Sequence, residues 1–111
     1  METLIADSLR ARARRIAAES RLLSVDVEAH PEQGNRIFAV GAVRSDRDAD
    51  FNSACSAARA PSVATALNHF AHDGRVLLGH NLRRHDLPLL RAQLPQLTCL
   101  HWPVLDTLES S

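Results

Sequence analysis

Leu22-Leu23-Ser24-Val25-Asp26-Val27-Glu28 is the stretch on which the fold turns. Leu23, Val25 and Val27 alternate with Ser24, Asp26 and Glu28, and a period of two with β-branched residues predicts a strand. Residues i and i+2 share a strand face, so Asp26 and Glu28 project together, roughly 6–7 Å apart. At that separation and an effective dielectric of about 20, two carboxylates repel by a few kcal/mol. A hard divalent cation such as Mg²⁺ relieves that repulsion through carboxylate oxygens. Solvent or a facing arginine relieves it too, and an isolated Asp-x-Glu does not separate these readings.

Composition narrows the setting. The chain has 111 residues, enough for one domain, and 45% of them are hydrophobic, an ordinary content for a globular core. Thirteen basic residues balance 13 acidic ones, so there is no electrostatic footprint of a stand-alone duplex binder. Every basic residue is an arginine; lysine and tyrosine are absent. Cys55 and Cys99 lack metal-ligand spacing, and two cysteines make no disulfide framework. No secretory signal and no membrane-length apolar run is present, so the expectation is a soluble cytoplasmic protein with free thiols and no membrane partner.

Outward from the strand, residues 1–21 are predicted as an N-terminal helix, with Leu4, Ile5, Leu9 and Ile16 forming a ragged stripe among arginines. Residues 22–111 form the rest of the domain. The loop Ala29 to Asn35 is full of turn residues, and Arg36 to Arg44 is a second apolar strand, which predicts an antiparallel hairpin. Phe51 marks a weak third strand. Val63, Ala66, Leu67 and Phe70 have helical spacing, ended by Asp73-Gly74. Arg75 to Leu78 is a short strand running into Gly79-His80-Asn81. A helix follows to about Leu94, with Pro88 either kinking it or marking its first turn. Trp102 to Leu105 is a last strand, and Asp106-Thr107 is placed to cap a helix.

Three segments together resemble the DnaQ-like 3′–5′ exonucleases, the DEDDh type of the DEDD superfamily. Asp26-Val27-Glu28 with Arg36 to Val43 is similar to the first motif, an acidic strand whose hairpin partner ends in Gly-Ala-Val. Leu78 to Leu90, with Gly79-His80-Asn81 and Asp86, resembles the second motif. Pro103 to Leu108 resembles the strand and Asp-Thr that follow it. The resemblance implies an α/β, RNase H-like mixed sheet with flanking helices, incomplete at its C-terminal end. It implies two Mg²⁺ or Mn²⁺ ions held by Asp26, Glu28 and Asp86 as metal and catalytic residues, the arrangement of two-metal phosphodiester hydrolysis. Ala29, His80, Asn81 and Arg83 would lie beside a single-stranded 3′ end of DNA or RNA.

The chain departs from the family in three places. Ala29-His30-Pro31 replaces the usual threonine-containing turn, and His85 replaces an aromatic before Asp86. The third motif, H-x₄-D or Y-x₃-D, is absent from its place; His101 and Asp106 have the spacing but stand in the Asp-Thr strand, around a proline that does not sit within a helix. A general base contributes roughly 10²–10⁴ in rate, so the expectation is a front part that needs the remainder of a larger polypeptide, a partner chain or a second copy. Two other readings stand beside it: a degenerate module that binds nucleic acid or protein within a repair, replication or helicase protein, and an assembly domain that keeps only the fold. Residue by residue, the plain alternatives are a helix cap for Asp86, turn satisfaction for His80 and Asn81, and solvated helix face for Arg83 and Arg84.

Overall fold

The computed structural model describes residues 19–110 together with Leu9, Ala11, Arg12 and Arg15. Leu9, Ala11, Arg12, Arg15, Glu19 and Ser20 are helical, and the rest of the predicted helix over 1–21 lies outside the described residues. Arg21 then turns the chain with a left-handed backbone, φ 50°, and β1 (Leu22–His30) begins.

Among the described residues β1 is the middle strand of a five-stranded mixed sheet, so the protein is α/β. The other strands are β2 (Arg36–Arg44), β3 (Asp50–Ala54), β4 (Val76–Gly79) and β5 (Val104–Asp106), in the order β3-β2-β1-β4-β5. β2 runs antiparallel to both β1 and β3, while β4 and β5 run parallel to β1. The predicted hairpin and the weak strand at Phe51 are both present. Alternation fixes the register, because a slip by one residue would turn the apolar set outward. Leu23, Val25 and Val27 are buried, while Asp26 and Glu28 are exposed on the opposite face.

One irregularity re-aims the end of the hairpin. Glu28 pairs with Ala39 but Ala29 pairs with Ile37, so Phe38 is the extra residue of a β-bulge. Its ring stacks on His30, with centroids 4.1 Å apart and planes 19° from parallel. The Ile37 N–H donates to Gln93 Oε1 at 2.9 Å, and Gln93 Nε2 donates to the Asn35 carbonyl at 2.8 Å. A glutamine at a helix end therefore takes over hydrogen bonding at the hairpin, as buried backbone donors require.

The helices cover the apolar face. α1 (Ala60–Phe70) buries Ala60, Val63, Ala64 and Leu67, the i, i+3, i+4, i+7 stripe of an amphipathic helix. The helix predicted up to Leu94 is divided: Leu82–Asp86 forms a π-helical turn, and α2 (Leu87–Gln93) continues with Pro88 in its first turn. Pro88 has no N–H to give, and the widened turn before it closes through Leu87 N–H to the Leu82 carbonyl. α3 (Thr107–Ser110) follows β5 directly. Cys55 and Cys99 are free thiols, and burial pushes Cys99 up to about 11. Among the described residues no helix is long and apolar enough to cross a membrane.

α1 ends at Phe70, before the predicted stop at Asp73-Gly74, and Arg44 is the physical reason. Its side chain is 1% exposed and grips both Asp46 oxygens at 2.9 Å. Its Nη1 also donates to the Phe70 carbonyl at 3.0 Å and to the His72 carbonyl. The last carbonyls of a helix have no partner within it, so a guanidinium fork from β2 closes α1 and binds it to the sheet. Beyond it, Gly74 leaves room for an indole: a Cβ there would stand 2.3 Å from Trp102 Cη2. Arg44→Met keeps the stem and removes the fork. It is expected to destabilise the protein by on the order of 3 kcal/mol, read as a lower urea midpoint at unchanged m-value.

Candidate metal centre

The site is built where β1 outruns β4. The β1–β4 pairing covers Leu22, Leu23 and Ser24 only, so the β4 side of β1 is open beyond that point. The chain leaves β4 at Gly79, and Asn81 takes the left-handed conformation, φ 58°, which asparagine tolerates better than most residues. The π turn then carries Asp86 back against β1. The Val27 N–H is directed at the Asp86 carboxylate, which is 6% exposed.

Burial works against the ionised form of Asp86. Its pKa is raised, first by burial and further by the neighbouring Asp26 carboxylate, against the opposing effects of His85 and the Val27 N–H. His85 Nδ1 stands 2.5 Å from Asp86 Oδ1. Desolvated carboxylates near one another favour a proton or a cation. Asp26 and Glu28, two residues apart on β1, line an open groove of about 550 Å³ whose floor includes Ala39, Gly41 and Ala54. Gly41 lies opposite Asp26, and a Cβ on it would meet Asn52 Oδ1 at 3.4 Å.

The donors match a hard divalent ion in kind, since all three are carboxylates. Their placement is looser: among the described residues no three His, Cys, Asp or Glu side chains close into an ion-sized cluster. Asp86 approaches Asp26, while Glu28 faces the groove over β2.

The other expected residues divide between open and engaged groups. Ala29 is half-buried at the bulge. His80 is exposed, with Nδ1 3.0 Å from Thr107 Oγ1, and that hydroxyl donates to the Gly79 carbonyl at 3.3 Å. The Thr107 hydroxyl thus ties the His80 ring to the Gly79 carbonyl and leaves Nε2 on the open side. Asn81 Oδ1 is buried and has no hydrogen-bond partner. Arg83 Nη2 donates to the Val104 carbonyl at 3.1 Å, so its guanidinium is tethered to β5.

The sequence places Asp106 to cap a helix, and it is a cap: Oδ1 accepts from Leu108 N–H at 3.1 Å. Its larger part is elsewhere. The same carboxylate, 3% exposed, accepts from Asn81 N–H at 2.9 Å and Arg83 N–H at 3.0 Å, and so orients the turn that delivers Asp86. The available signal was an aspartate ending a strand beside a Gly-His-Asn turn. His101 sits exposed at the end of a 3₁₀ turn over Thr98–His101, and Asp106 is committed to backbone, so the pair does not form a third motif on a helix. A scan against models of known protein families finds no match, and a search of curated proteins finds none either.

The Asp106 pKa is lowered, chiefly by the Arg83 N–H, then by Leu108, Asn81 and Leu82 N–H groups, with burial opposing. A depressed folded-state pKa gives stability that is present above about pH 4, the unfolded value, and lost as pH falls through the folded one. Asp106→Asn is therefore expected to lower the melting temperature at pH 7. The gap to wild type should close in thermal melts below about pH 4.

Proposed function

We propose that this chain is the front part of a metal-dependent 3′–5′ exonuclease domain of the DnaQ-like, RNase H-like kind. The observation that carries the reading is Asp86, which a π turn holds against Val27 of β1 with Asp26 as its neighbour. Support also comes from the expected order of hairpin, helix, strand, helix, strand, which the chain follows with β3 added after the hairpin.

Asp26, Glu28 and Asp86 are the residues that would hold ions. Two Mg²⁺ or Mn²⁺ ions would supply water activation and charge neutralisation at the leaving oxygen. His80 and the backbone at Ala29 would orient a 3′-terminal nucleotide. Arg83, held at Val104, contributes charge more than reach. The third-motif base is absent from these 111 residues, and the rest of the site would come from further polypeptide or a partner chain. One observation favours the binding-module reading: His85 occupies an Asp86 oxygen that an ion would require.

Metal titration separates the two readings. Mn²⁺ at about 100 times its Kd stabilises a one-site protein by about 2.7 kcal/mol, and wild type is expected to show a comparable rise in melting temperature that chelator reverses. Asp26→Asn and Asp86→Asn should abolish the rise. In chelator, Asp86→Asn should melt above wild type at pH 7, because a raised carboxyl pKa penalises the ionised form. That gain should fade below about pH 4, where both states are protonated. An unresponsive wild type would remove the metal reading. The 111 residues alone are expected to release no nucleotides from single-stranded 3′ ends. Release that is lost in Asp26→Ala would show that the base is already present.

A further inference from the structure

The large apolar side chains left exposed among the described residues lie in two places. Val43, 53% exposed, and Leu105, 45% exposed, stand on the open face of the sheet, and Leu108 follows β5. Leu9, 59% exposed, stands on the N-terminal helical segment. The strand registers put the sheet residues in line. Asp50 pairs with Val43, Val43 with Ser24, Ser24 with Leu78 and Leu78 with Leu105, so one row crosses all five strands. Leu22, Val43 and Leu78 line an apolar depression of about 170 Å³ within it.

The row has an acidic border. Ser24 and Val43 also line a neighbouring depression of about 230 Å³ together with Asp26, Asp50 and Asn52, and no basic side chain lines it. An apolar row beside unpaired acids fits a helix whose apolar stripe holds one cation. Ile5, Leu9, Arg12 and Ile16 are spaced i, i+4, i+7 and i+11, which is a single helical stripe, and Arg12 is the cation within it. An arginine taken into an apolar contact requires a carboxylate there. Leu9, Ala11, Arg12 and Arg15 look in several directions around a helix, yet all four are exposed. Their own chain therefore covers no side of that stretch, and a short helix without packing is marginal in water.

We propose that residues 1–20 of one copy lie across the open sheet face of a second copy, and that the exchange is reciprocal. Leu9 and Ile16 would cover the row of Val43, Leu78 and Leu105, and Arg12 would pair with the partner's Asp26. The reach is sufficient. A 20-residue helix is about 30 Å long, and five strands span four gaps of about 4.8 Å. Each copy gives the same segment and receives it on the same surface, so the contact is isologous and closes as a two-fold dimer. The second copy thereby adds an arginine to the carboxylates, at the oxygens an ion would take. The exchange stands on the apolar row and the acids beside it, and does not require the metal reading.

Sedimentation equilibrium of the full chain in chelator tests this apart from any metal. Wild type is expected to run at twice the 12.2 kDa of one chain. Arg12→Glu and Asp26→Arg each set like charges together and should weaken the dimer by at least about tenfold. Both positions are exposed, so the fold should persist, which circular dichroism checks. Mixed in equal amounts, the two variants should recover the dimer, because each segment then meets the opposite charge on the other chain. Leu9→Gln should also weaken the dimer, and mixing it with Asp26→Arg should not restore wild-type affinity. A monomer at about 1 mM protein, or a dimer that neither charge reversal weakens, overturns the proposal. Loss in both variants without recovery on mixing also overturns it, by returning the segment to its own chain.

Discussion

A single buried carboxylate joins the two halves of the candidate site. Asp106 ends β5, caps α3, and accepts from the backbone of the turn that leaves β4. Those donors sit where the left-handed Asn81 starts a π turn, a place where no regular ladder satisfies them. Buried backbone groups must find partners, and an ionised acceptor makes the stronger bonds. The path of the turn therefore follows the carboxylate, and Asp86, five residues beyond Asn81, arrives beside β1 because of it. The acid that positions and the acid that is positioned have opposite electrostatics: one is pulled below its ordinary pKa by N–H groups, the other is pushed above by burial and Asp26.

The features legible in the sequence were those that local pattern determines. Alternation at Leu23, Val25 and Val27 gave both strand and facing, since one side had to be buried. Pro88 left a kink or a first turn open, and the first turn is what forms. The bulge at Phe38 could not be read, because it depends on Gln93, 56 residues away from Ile37. Arg44 looked like one of 13 arginines; its burial between Asp46 and the carbonyls of Phe70 and His72 is a property of β2 folded against the end of α1. Asp26 and Glu28 were picked out by type and spacing, and Asp86 joined them through the resemblance. Their separation into a neighbouring pair and an outlying Glu28 depends on how far the π turn reaches, which no sequence period encodes.

The two faces of the sheet serve different ends. One is packed under α1 and held by the Arg44 fork. On the other, Asp26 and Glu28 are left exposed, with small floor residues at Gly41 and Ala39. The electrostatic cost falls on Asp86, buried beside Asp26, and the His85–Asp86 contact partly offsets it. The His85 ring and a bound ion would compete for the same Asp86 oxygen, so His85 bears directly on how readily the site would accept metal.

The notch at Gly74 has a consequence for observing the molecule. It receives the ring of Trp102, the sole tryptophan in a chain without tyrosine. Near-ultraviolet light is therefore absorbed and re-emitted almost entirely from one spot, where the α1–β4 turn meets the segment entering β5. The colour of that emission reports whether those two pieces of chain are touching. The protein carries its own single-site optical gauge of assembly, with no second fluorophore to blur the signal.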